Sequence, residues 1–179
     1  MELADGRGGE AGKDRWRVHL LGDLRLSLGA SVISVTAPTH RRFLCRLAVA
    51  SGATVSVGTL IDTVWPEDSV ARPKESLQSL VHRLRRIVGP AVIRSTSTGY
   101  RLDAALVVVD LDELTALPRQ AIDEPDHQRF QTHFVSEIEL MSNEVLPGMA
   151  NEPWAITIAQ RVAEERAIIG ERRVRSLIR

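Results

Sequence analysis

One cysteine in 179 residues, Cys45, excludes an internal disulfide and any cysteine-rich zinc site, and it suits a cytoplasmic setting. Aromatic residues make up only 4% of the chain, so a core has to be built from Leu, Val, Ile and Ala. No apolar run reaches membrane-spanning length, and the opening MELADGRGGEAGKDR lacks the apolar core of a signal peptide. Net charge is absent as well, since 23 basic side chains balance 23 acidic ones. Catalytic chemistry is equally thin. No paired carboxylates, nucleophile–base pair or metal cluster stands out at a known spacing. His127 and His133 are six positions apart, which fits neither step that brings helical side chains together. GRGGEAG follows no strand and precedes no helix, so it does not read as a phosphate loop. The expectation is a non-enzyme without metal, cofactor or membrane partner.

What is present is a soluble, globular composition, 44% hydrophobic and 26% charged. The length suits one well-cored domain, or one domain and part of another. Charge is unevenly spread. Residues 39–102 hold ten basic and four acidic side chains, whereas residues 103–179 hold eight and fourteen. The middle third therefore has the electrostatics of an anion-binding module.

Periodicity gives the order of elements. Residues 1–14 are Gly-rich and charged and are expected to be disordered. Trp16, Val18 and Leu20 alternate with polar residues, as do Leu24, Leu26 and Leu28, and residues 31–35 make a third strand. From Pro38 the period becomes helical, with Phe43, Leu44, Leu47 and Ala48 on one side and a stop at Ser51-Gly52. Ser56 is placed to cap a second helix carrying Val57, Leu60, Ile61 and Val64, which Trp65-Pro66 closes. A third helix spans residues 73–89, followed by a short strand, a polar turn from Arg94 to Gly99, and a returning strand at residues 100–102. Three strands, three helices and a basic hairpin outline an α+β winged helix-turn-helix.

The third helix, PKESLQSLVHRLRRIVG, is the most informative segment. Leu77, Leu80, Val81, Leu84, Ile87 and Val88 form its apolar stripe, and Gln78, Ser79, His82, Arg83 and Arg86 occupy the opposite side. Such a helix can be an ordinary solvated one, but the hairpin after it favours a recognition helix. Arg and Lys neutralise phosphates, while Gln, Ser, His and Arg match donor and acceptor patterns on base edges. Lys74, Arg85, Arg41, Arg42 and Ser56 are candidates for the DNA backbone, and Arg94, Ser95, Thr96 and Thr98 for wing contacts. Glu75 also points outward, where it repels phosphate yet can accept from cytosine. Trp65, Tyr100 and Cys45 read as packing residues.

The span from Val55 to Asp103 resembles the DNA-binding domain of the Streptomyces antibiotic regulatory protein (SARP) family. The matching pieces are the Val55-Ser56-Val57 helix opening, Leu60 through Val64-Trp65, Leu77-Gln78, Arg83-Leu84-Arg85-Arg86, and Thr98-Gly99-Tyr100-Arg101-Leu102. Val109-Asp110-Leu111 and the run from Leu146 to Trp154 resemble markers of the bacterial transcriptional activator domain that follows it in this family. The likeness covers residues 15–179 and implies an OmpR-type winged helix-turn-helix at 15–104. After it, a partial tetratricopeptide-like helical domain is expected at 105–179. It also implies an activator that binds double-stranded DNA at direct repeats, self-associates on tandem sites and recruits RNA polymerase. In OmpR-type domains the loop before the recognition helix can touch polymerase, which singles out Glu67 and Asp68. The alternative is a protein-interaction module that binds a regulatory partner instead of DNA, for which the acidic C-terminal third speaks.

Overall fold

A computed structural model describes residues 15–66, 70–114, 116 and 143–177. Among the expectations, those on residues 1–14, Glu67, Asp68, His127 and His133 lie outside the described residues.

The alternating N-terminal segments form strands β1 (Trp16–His19), β2 (Arg25–Leu28) and β3 (Ser31–Ser34). They pair antiparallel, with Val18 opposite Leu26 and Leu26 opposite Ile33. This register puts the apolar set on one side of the sheet. Helices α1 (Pro38–Ala48), α2 (Val57–Val64) and α3 (Pro73–Val88) share one buried core with it. Phe43, Leu44, Leu47, Leu60, Leu77 and Leu84 are almost wholly buried where they meet. Ser56 caps α2 as the sequence suggested, its hydroxyl accepting from the Thr59 amide at 3.1 Å. Cys45 is also buried, and burial pushes its thiol pKa up to about 12, so it offers no thiolate at neutral pH.

Two pairings were not expected. Strand β4 (Val55–Ser56) adds to the hairpin of β5 (Ile93–Ser95) and β6 (Gly99–Leu102), giving a sheet ordered β4-β6-β5. Strand β7 (Val107–Val109) lies parallel to β1 and completes a four-stranded sheet ordered β3-β2-β1-β7. The boundary expected after residue 104 precedes β7, whose pairing carries the first sheet past it.

Asp110 follows β7 and begins a helix at residues 110–114. Its carboxylate is buried and accepts from the amides of Leu20 at 2.8 Å and Leu21 at 3.1 Å, which ties the end of β1 to this helix. Residues 143–152 return across the winged unit. The Leu146 amide donates to Leu20, the Gly22 amide donates to Glu144, and Leu146 and Met149 are buried. Helix α4 (Pro153–Leu177) follows, burying Ala155 and Val162. The architecture is the expected α+β winged helix with a helical segment after it.

Candidate nucleic-acid interface

The candidate interface centres on α3. Its buried residues Leu77, Leu80, Val81, Leu84 and Val88 fix its rotation, so Gln78, Ser79, His82, Arg83 and Arg86 all stand exposed along its other side. Lys74 is exposed in the first turn. Glu75 is exposed too, but Arg72 pairs with it at 3.3 Å, which tempers its repulsion of an anion. Ile87, expected in the apolar stripe, is 44% exposed. At 100° per residue it sits about 80° from the centre of the stripe, on its margin.

The wing is fastened to this helix from below. The Arg85 guanidinium donates to the Ile93 carbonyl at 3.0 and 2.6 Å and to the Ser95 hydroxyl at 2.9 Å. The Val57 amide at the start of α2 donates to the Thr98 carbonyl at 3.0 Å. Thr96 closes the wing turn, its amide donating to the Gly99 carbonyl and its hydroxyl accepting from the Gly99 amide at 3.1 Å. Gly99 is required by close approach, since a Cβ there would lie 1.9 Å from the Val55 carbonyl oxygen. Tyr100 packs edge-on against Phe43, ring centres 6.3 Å apart, and so anchors β6 to α1.

These contacts redistribute the residues assigned to DNA from sequence. Arg85 is half-buried and used as the clasp between helix and wing. Ser95 and Thr96 serve the wing's own hydrogen bonds. Arg94 pairs with Asp103 at 2.9 Å, and this partner holds the Asp103 carboxyl below the usual carboxylate range. Thr98 stands exposed at the turn, beside exposed Ser97. Arg41 and Arg42, expected near a flanking phosphate, turn to internal carbonyls: Pro147 at 2.8 Å and Thr63 at 3.1 Å. The Ser56 hydroxyl is taken up by its capping role.

Two residues beside this surface were not singled out by sequence reasoning. Arg101 on β6 lies directly across from Arg94. His40 on α1 lies close enough to Arg83 for that charge, after burial, to help lower its pKa. His40 precedes Arg41 in the first turns of α1, a position that gave no signal in a helix judged by its apolar stripe. Among the described residues, no group of three or more His, Cys, Asp or Glu side chains is arranged to hold a metal ion. No helix among them is long and apolar enough to cross a membrane.

No family model matches the chain. Regulatory protein AfsR from Streptomyces griseus is 28% identical over 164 residues, which is 90% of this chain and 17% of the relative. AfsR from Streptomyces coelicolor is 26% identical over 162 residues, or 88% and 16%. Transcriptional regulatory protein EmbR from Mycobacterium tuberculosis is 23% identical over 158 residues, or 83% and 41%. The solved structure of M. tuberculosis EmbR in complex with a low affinity phosphopeptide matches with a TM-score of 0.72 at 22% identity. That match covers 87% of this chain and 44% of that one. These likenesses to regulatory proteins, over most of the chain, agree with the SARP resemblance read from residues 15–179, and the structural match supports a winged helix followed by a helical segment. The chain spans about a sixth of the AfsR relatives and under half of EmbR.

Proposed function

We propose that this chain is the DNA-binding part of a transcription regulator. One observation carries the reading: five polar and basic side chains, Gln78, Ser79, His82, Arg83 and Arg86, stand exposed on a helix locked to a wing by Arg85. The groove-reading chemistry is on α3, while Lys74, Arg101 and the wing tip at Ser97 and Thr98 suit phosphates. The relatives AfsR and EmbR, a regulatory protein and a transcriptional regulatory protein by name, fit this reading. In its finer form the protein is a sequence-specific activator bound to direct repeats. Tandem docking puts equivalent α3 helices about one turn, 10–10.5 bp, apart on one side of the duplex. RNA polymerase is then recruited alongside, with Glu67 and Asp68 at the contact.

The test is a titration of fluorescent promoter DNA against random duplex at two salt concentrations. Tighter binding to the promoter is expected, weakening as salt rises, and Arg83→Ala with Arg86→Ala should remove the preference. Equal binding to both duplexes, or a double variant that binds as well as the wild type, overturns the reading.

A further inference from the structure

Three arginines of α1 hold the segment that runs into α4. Arg41 donates to the Pro147 carbonyl at 2.8 Å, Arg42 meets the Glu152 carboxylate at 3.1 Å, and the Arg46 guanidinium lies 5.8 Å from the centre of the Trp154 ring. Glu152 also starts α4, its carbonyl accepting from the amides of Ala155 and Ile156. Residues 146–154 are thus a strap across the helix that underlies the recognition unit.

Arg42 does a second thing. While one amino group meets Glu152, the other donates to the Thr63 carbonyl at 3.1 Å. Thr63 lies in the last turn of α2, where backbone carbonyls run out of helical partners and negative dipole charge collects. That turn has no basic residue of its own. Arg42 supplies the missing cation from another helix, at the point where the chain leaves α2 for α3.

We infer that Arg42 is a positioning residue that couples docking of the 146–154 strap to the geometry of the helix-turn-helix. Glu152 orients the guanidinium, and the guanidinium holds the end of α2 from which the recognition helix is hung. Displacing the strap frees Arg42, loosens the last turn of α2 and lowers affinity at α3. A movement of the helical part is thereby felt at the DNA. The inference rests on the DNA-binding reading only for its last step.

The experiment uses the full chain, with Arg42→Gln, Glu152→Gln, the double variant, and the charge swap Arg42→Glu with Glu152→Arg. Two quantities are read: affinity for a duplex selected from a random pool, and hydrogen exchange at the Trp65 amide, which donates to Ile61 at 2.8 Å. Glu152→Gln keeps the shape of the side chain and should lower affinity about fivefold, at the low end for coupled sites. It should also speed exchange at Trp65. The double variant should be no weaker than Arg42→Gln alone, because both act on one contact. The swap should restore the strap but not the affinity, because a carboxylate cannot donate to the Thr63 carbonyl. Glu152→Gln that lowers the melting temperature yet leaves Trp65 exchange and affinity unchanged makes the strap mere glue and overturns the inference. If the wild type itself shows no preference among duplexes, the DNA-binding reading fails, and Trp65 exchange alone decides the coupling.

Discussion

Replacing Arg85 by methionine separates two roles that a basic residue on a recognition helix can have. Methionine keeps the apolar stem and removes every donor. Three hydrogen bonds vanish, two to the Ile93 carbonyl and one to the Ser95 hydroxyl, and Ile93 itself is fully buried. Hydrogen bonds from charged donors are worth about 1.5–3 kcal/mol, and the half-exposed guanidinium places this loss near the lower end. Urea unfolding should therefore show a lower midpoint with an unchanged slope. DNA affinity should fall because the wing is no longer held against α3. The salt dependence should stay as in the wild type, because no phosphate contact is lost. Arg83→Ala is the contrast: nearly unchanged stability and a shallower dependence of log K on log salt, by about 0.9. If Arg85→Met keeps full stability and makes the salt dependence shallower by the same step, Arg85 is a phosphate contact and the clasp is refuted.

Gly99→Ala drives a Cβ to within 1.9 Å of the Val55 carbonyl oxygen, a backbone atom that cannot swing aside. The β4–β6 pairing should open at a cost of about 3 kcal/mol or more, seen as a lower melting temperature and lost wing protection in hydrogen exchange. A variant as stable as the wild type would remove close approach as the reason for glycine. Asp110→Ala leaves the buried Leu20 and Leu21 amides without an acceptor and should cost about 1–3 kcal/mol for each, whereas Asp110→Asn keeps one oxygen and should cost less. Burial raises the Asp110 pKa above 3.8, so the folded protein binds this proton more tightly than the unfolded chain. The wild type should therefore gain stability relative to Asp110→Asn as pH falls through the raised value toward 3.8. A difference between the two proteins that stays flat or runs the other way in urea titrations contradicts that assignment.

The order of elements was legible because each long element carries its own period. Leu77, Leu80, Val81, Leu84 and Val88 announce α3, and Trp16, Val18 and Leu20 announce β1. Strands β4 and β7 were not legible. Two or three residues are too few to show an alternation, and their existence depends on partners at Tyr100 and Trp16, 45 and 91 positions away. The fate of the arginines was hidden for the same reason. Helical spacing tells which side of a helix a guanidinium leaves from. Its acceptor lies elsewhere in the chain, 106 positions on for Arg41 and 21 for Arg42.

That hidden commitment changes what the basic middle third can do. Of its ten cations, Arg41, Arg42, Arg46, Arg72, Arg85 and Arg94 are engaged with groups of the protein itself. Among the described residues, Lys74, Arg83, Arg86 and Arg101 make no hydrogen bond or ion pair, although Arg101 lies close enough to Asp103 to help lower its pKa, and three of the four are on α3. With the internal contacts intact, four cations can neutralise at most four phosphates, which bounds the contribution of these residues to the salt slope at about −3.6 per bound chain. The raw charge count would have allowed more than twice that. A measured slope much steeper than this bound would mean that binding breaks internal pairs, Arg94–Asp103 at the wing among them. Asp103→Asn distinguishes the two cases. It leaves the slope where it is if Arg94 stays with the protein, and tightens low-salt binding if Arg94 has to be freed for a phosphate.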